Sequence, residues 1–155
     1  MQLAAVEFAR NVAGISGANS EEFDVTASDK IIEVSEGHIE GDRFPGKLRL
    51  GLHPARLQEA SLARQLYGGQ EVIQERHRHR YEFNNDYRQI LENHGLVFSG
   101  INPTSDLVEI IELKDHPFFI ATQFHPEFTS RPNRPQAIFK GFVEASLIYQ
   151  EEKSN

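Results

Sequence analysis

The residues best suited to chemistry lie in Pro117 to Phe128, PFFIATQFHPEF, where an apolar run leads into His125, Pro126 and Glu127. Proline cannot extend a sheet ladder and fixes its own φ, so Pro126 is expected to stop a strand and to present its two neighbours rigidly. In extended backbone, side chains two residues apart project to the same side. A carboxylate at Glu127 can then accept from one imidazole nitrogen of His125, leaving the other to act as a general base. The same residues also fit a plain surface turn in which each side chain meets only water.

A second cluster is Glu75 to Tyr81, ERHRHRY. On a strand, alternation puts Arg76, Arg78 and Arg80 on one face and His77 and His79 on the other. Three readings compete: guanidinium groups clamping a carboxylate or phosphate, a histidine pair ligating metal, or a solvated strand. Two histidines without a third ligand fall short of a zinc site. Gln2 stands in the first turn of an opening helix, where free amides stabilise negative charge, although taken alone it is also an ordinary exposed glutamine.

Apolar spacing predicts the elements that hold these residues. Leu3, Val6, Ala9 and Ala13 mark the opening helix, closed by Gly14 and Gly17, with no capping residue ahead of it. That abrupt start suggests that residues upstream belong to the same domain. Ala18 to Ser28 is expected as a polar connection, Ile31 to Val34 as a strand and Glu36 to Gly46 as an exposed loop. Leu48 and Leu50, alternating with Lys47 and Arg49, predict a short strand with the leucines inward; Leu57 to Tyr67 predicts a helix ended by Gly68 and Gly69.

Val72 to Phe83 is expected as one long polar segment, followed by a short helix capped by Asn85 or Asp86 and stopped by Gly95. Strands are expected over Leu96 to Ser99, Leu107 to Leu113 and Phe118 to Gln123, the last two joined by a turn at Lys114 to Pro117. A closing helix from Pro135 to Tyr149 carries Ile138, Phe139, Phe142, Val143 and Leu147 on one face, with 150–155 as a frayed tail. Helices mixed with strands indicate a mixed-sheet α/β domain.

Composition narrows the function classes. At 155 residues, 39% hydrophobic and 25% charged, the chain fits one soluble domain. Its net charge of -7 opposes broad adhesion to nucleic acid. No apolar run approaches the roughly 20 residues of a membrane helix, so the expected location is the cytoplasm, without membrane attachment. The absence of cysteine excludes disulfides, thiolate metal sites and a cysteine nucleophile within these residues.

In this order, MQLAAVEFAR, ANSEEF, GKLRLG, RQLYGG, ERHRHRYEFNN, LVEIIEL and HPFFIATQFHPEF resemble the glutaminase domain of CTP synthases over nearly the whole chain. HPE alone points only to the class I, triad-type glutamine amidotransferases; RHRHRYE and QFHPEFTSRP carry the more specific likeness. The resemblance implies a flavodoxin-like, mixed-sheet α/β amidotransferase fold, truncated at its N-terminal side. Residues 1–149 would form a partial glutaminase domain that begins just after the nucleophile turn.

It further implies a Cys-His-Glu triad in which His125 and Glu127 are two members and the cysteine lies three residues before Met1. Substrate contacts are implied at Gln2, Glu22 and Arg80, with Arg78 on the same expected strand face as Arg80. Glutamine is the implied substrate, and a missing synthetase domain the implied partner, within a homotetramer of full-length chains. ATP and Mg are expected only in that synthetase domain, and no cofactor or metal in this chain. The chain alone is expected to be inactive, and Leu3 and Val6 to lack the strands that would cover them.

Overall fold

Ala5, Val6, Phe8 and Ala9 recur at helical spacing and form the buried stripe of α1 (Gln2–Asn11). Leu3 projects into solvent at 63% exposure, as expected, whereas Val6 is covered by the core. The computed structural model describes residues 1–35 and 46–154. The loop expected over 36–46 therefore lies outside the described residues, apart from Gly46.

After α1 come β1 (Ala18–Ser20) and β2 (Asp29–Val34), which pair in parallel. The next strand, β3 (Arg49–Leu57), runs nine residues, well past the short strand predicted around Leu48 and Leu50. The predicted helix from Leu57 contracts to α2 (Leu62–Leu66). Its start is set by acceptors for its free amides. Ser61 Oγ accepts from Arg64 N at 3.1 Å, and the buried Glu112 carboxylate accepts from Leu62 N and Ala63 N at 2.9 and 2.8 Å. Leu57, read as the helix's first apolar residue, instead closes the strand.

The segment predicted as continuous from Val72 to Phe83 divides at Arg80 into β4 (Val72–His79) and β5 (Tyr81–Phe83), which belong to different sheets. Asn84, one residue ahead of the predicted caps, accepts from Asp86 N at 3.0 Å and leads through a single 3-10 turn into α3 (Arg88–Asn93). β6 (Leu96–Ile101), β7 (Val108–Leu113), β8 (Ile120–Thr122) and α4 (Ala137–Ser154) follow as expected in type. α4 continues through Ser154, so the tail expected to fray from residue 150 is helical.

Two sheets result. β1, β2 and β5 make a small mixed sheet, and β4-β3-β6-β7-β8 a larger antiparallel one. β7 is buried on both faces. Ile111 joins the core under α1 with Val6, Phe8, Ile32 and Phe83, and Ile110 joins a second core with Ala55, Leu57, Phe124 and Ile138. The predicted apolar face of α4 is covered only at Ile138; Phe142 and Leu147 remain 58% and 54% exposed. Among the described residues no helix is long and apolar enough to cross a membrane.

In β3 the predicted facing is reversed. Leu50 points outward at 56% exposure, and Arg49 points inward. Buried carboxylates explain this, because Arg49 meets Glu82 at 3.4 Å and Glu109 at 2.5 Å, and an ion inside a protein needs a partner.

Gly100 sits opposite Ile110 on β7, and a Cβ there would lie 2.5 Å from Ile110 Cγ1. Gly100→Ala is therefore expected to destabilise the fold by about 1–3 kcal/mol through overpacking, read as a lower urea midpoint.

Candidate active site

β8 ends at Thr122, and Gln123 N still donates to Glu109 O at 2.8 Å, so the chain leaves the sheet edge under restraint. His125 keeps extended backbone, and its N–H donates to Arg76 O on β4 at 2.9 Å. Pro126 then opens a one-turn 3-10 helix, Pro126–Phe128, a position where its missing N–H is not needed. The turn, rather than extended backbone as the spacing suggested, brings the two side chains together.

His125 Nδ1 lies 2.7 Å from Glu127 Oε1. A carboxylate oxygen accepts, so Nδ1 carries the proton and Nε2 offers a lone pair. Among the described residues nothing hydrogen-bonds Nε2. Phe128 stacks on the imidazole with ring centroids 5.0 Å apart, and the two polar side chains stay open to solvent at 40% and 55%. Such a pair can take a proton at Nε2 while Glu127 stabilises the resulting imidazolium.

Of the other predicted residues, Gln2 contacts Tyr81, while Glu22 N donates to Ser20 Oγ at 3.3 Å. The Tyr81 carbonyl accepts from Gln2 Nε2 at 2.9 Å and from Gln123 Nε2 at 2.7 Å; Gln2 Nε2 also reaches Gln123 Oε1 at 3.3 Å. Burial raises the pKa of the Tyr81 phenol, the Glu22 and Glu21 carboxylates raise it further, and Arg80 opposes them. Arg80 occupies the break between β4 and β5 and donates from Nη1 to Gly46 O at 3.0 Å. Arg78 instead stands opposite Leu50 on the exposed face of β4, so the backbone separates two arginines that alternation had left together.

Alternation does hold along β4, where Arg76 and Arg78 are exposed while Glu75 and His77 are buried. Burial, then the Arg49 charge, lowers the pKa of His77 to about 2 and of His79 to about 3. His79 Nδ1 lies 3.1 Å from Tyr81 O and must donate to it. Its Nε2 then accepts from His77 Nδ1 at 2.9 Å. Burial and Arg49 keep both rings neutral, with Gln123 Nε2 a further neighbour of His79 Nδ1 at 3.2 Å. Among the described residues no group of three His, Cys, Asp or Glu is placed to hold a metal.

Sequence reasoning missed Gln123, Tyr81, and the buried trio Arg49, Glu82 and Glu109. One signal was available. Glu109 and Glu112 stand inside the apolar run LVEIIEL, which is buried on both faces, so neither acid has a solvated side to turn to.

The family described as Glutamine amidotransferase class-I matches residues 1–145. The chain belongs to the class-I glutamine amidotransferases. CTP synthase from Geobacillus kaustophilus is 60% identical over 147 residues, covering 95% of this chain and 28% of that protein. CTP synthase from Bacillus subtilis is 53% identical over 153 residues, 99% of this chain and 28% of its own length. The solved glutaminase domain of Trypanosoma brucei CTPS with bound acivicin is 35% identical, with a TM-score of 0.86 over 95% of this chain and 57% of that one. The chain thus spans about 28% of the length of the curated relatives it matches. Its mixed α/β architecture is the class-I amidotransferase fold seen in the trypanosomal domain.

In this amidotransferase, burial lifts the pKa of Glu82 from 4.5 to about 7, against the pull of Arg49 and Gln123. Between those values the folded chain keeps a proton that the unfolded chain has lost, so this group makes stability fall as pH rises through the window. Glu82→Gln removes that contribution. Unfolding free energies measured in a pH series are expected to show the variant gaining on the parent from about pH 4.5 to 7 and levelling off above.

Proposed function

We propose that this chain is the base-and-substrate half of a glutaminase site that feeds ammonia to CTP synthesis. In the reaction His125 Nε2 takes the proton of a cysteine thiol, and the thiolate attacks the side-chain amide carbon of glutamine. His125 Nε2 passes a proton to the departing nitrogen, ammonia leaves, and water resolves the glutamyl thioester to glutamate. The 2.7 Å contact between His125 and Glu127 in a class-I amidotransferase carries the reading. Glu127 fixes the tautomer that leaves Nε2 bare and offsets the charge of the imidazolium.

Gln2, Glu22 and Arg80 are the proposed glutamine contacts. A carboxylate suits the substrate's ammonium and a guanidinium its carboxylate. Gln2 donates to the Tyr81 carbonyl and Arg80 directly precedes Tyr81 in the chain, which supports grouping these two. The chain contains no cysteine, so the nucleophile has to come from polypeptide outside these residues. On this reading residues 1–149 are part of a glutaminase domain, inactive alone. In the whole protein, a cytoplasmic homotetramer, the synthetase domain would bind ATP and Mg and aminate UTP with the released ammonia. The lack of a thiol also favours a second reading, a glutamine-binding module without catalysis.

The pure chain is expected to release no ammonia from glutamine above the enzyme-free blank. Grafted in place of the matching segment of the G. kaustophilus CTP synthase, it is expected to support glutamine-dependent CTP formation. There His125→Asn should cost roughly 10²- to 10⁴-fold with glutamine and leave formation from added ammonia intact. Arg80→Met should raise KM for glutamine. Full glutamine-dependent activity in the His125→Asn graft would falsify the catalytic assignment, and an inactive but folded parental graft would favour the binding module.

A further inference from the structure

We propose that Glu75, which touches no reacting atom, is the positioning residue for the His125 and Glu127 pair; this rests on the glutaminase reading above. The segment from His125 to Thr129 is held at both ends by two consecutive residues of β4. At one end His125 N–H donates to Arg76 O at 2.9 Å. At the other, Thr129 Oγ1 lies 3.3 Å from Glu75 Oε2 and 3.2 Å from Pro126 O. Pro126 O also accepts Thr129 N–H at 3.2 Å; the hydroxyl has a single proton, and the Glu75 carboxylate is the stronger of its two acceptors.

Glu75 is itself immobilised. Its carboxylate is buried and accepts from Tyr67 Oη at 2.7 Å and Gln136 Nε2 at 2.8 Å, and Gln136 also donates to Tyr67 Oη. Gln136 Oε1 in turn accepts the N–H of Ile138 at 2.8 Å, which ties the start of α4 into the same network. A buried acceptor surrounded by donors is costly to displace, so the catalytic turn takes its position from a strand of the main sheet rather than from a loose loop. Glu127 lies inside the turn, two residues from Thr129. Releasing the Thr129 end therefore frees the carboxylate that orients His125.

The test uses the graft described above. Thr129→Val is expected to lower kcat for glutamine hydrolysis by about 10- to 100-fold with little change in KM, the cost of a misplacement on the order of 1 Å. Thr129→Ser, which keeps the hydroxyl, should recover most of that loss. Glu75→Gln should act in the same direction, and if that variant fails to fold the Thr129 pair still decides. Parental kcat in Thr129→Val overturns the proposal, as does an equal fall in Thr129→Val and Thr129→Ser that tracks the unfolding midpoint. If the parental graft hydrolyses no glutamine, the glutaminase reading fails instead. Crystal structures of parent and Thr129→Val then judge the positioning role: loss of the 2.7 Å contact between His125 and Glu127 supports it, and an unchanged contact overturns it.

Discussion

A single guanidinium holds the two sheets in register. Arg49 leaves β3 toward the interior and divides its two arms between Glu82 of β5, in the small sheet, and Glu109 of β7, in the large one. Removing one member of such a buried group strands a charge in a low-dielectric interior, at a cost of about 3–5 kcal/mol. Replacing the whole group by apolar residues need not cost stability. Its geometric effect is plain: the carboxylates can be satisfied only when the sheets face each other at this separation, and that brings β5 beside the chain leaving β8.

The remaining polar interior extends from that constraint. Gln123 donates to Glu82 and to the Tyr81 carbonyl, Gln2 joins it from α1, and His79 closes on the same carbonyl. Elements far apart in sequence thus converge two residues before His125. The imidazoles of His77 and His79 stay neutral because burial, and after it the Arg49 charge, disfavours a proton on either ring. His125, by contrast, is open to solvent and faces a carboxylate. Histidines close together in the fold thus have opposite surroundings, two packed inside and one at the surface against a carboxylate, the one proposed to move protons.

Much of this was legible in the residues, and the failures share a cause. Strand and helix types followed from apolar spacing for α1, β2, β6, β7 and α4, and Pro126 did mark the end of a strand path. Arg49 and Leu50 were read the wrong way round because alternation assumes that charge seeks water, whereas two acids on other strands were waiting inside. Leu57 was assigned to a helix because its spacing from Leu62 and Leu66 fits one; the acceptors that delay the helix, Ser61 and Glu112, act partly from fifty residues away. The pairing of His125 with Glu127 was anticipated, but through extended backbone. The actual 3-10 turn depends on Thr129 and β4, which local spacing cannot reveal.

One residue separates β4 from β5, and that leaves no slack between the sheets. Along this connection the change from one sheet to the other is made in the backbone of Arg80 alone. Its guanidinium donates to Gly46 O, so the joint and the tip of the side chain are both held. The group proposed to grip the substrate's carboxylate is thereby set in place by the crossing between the two sheets.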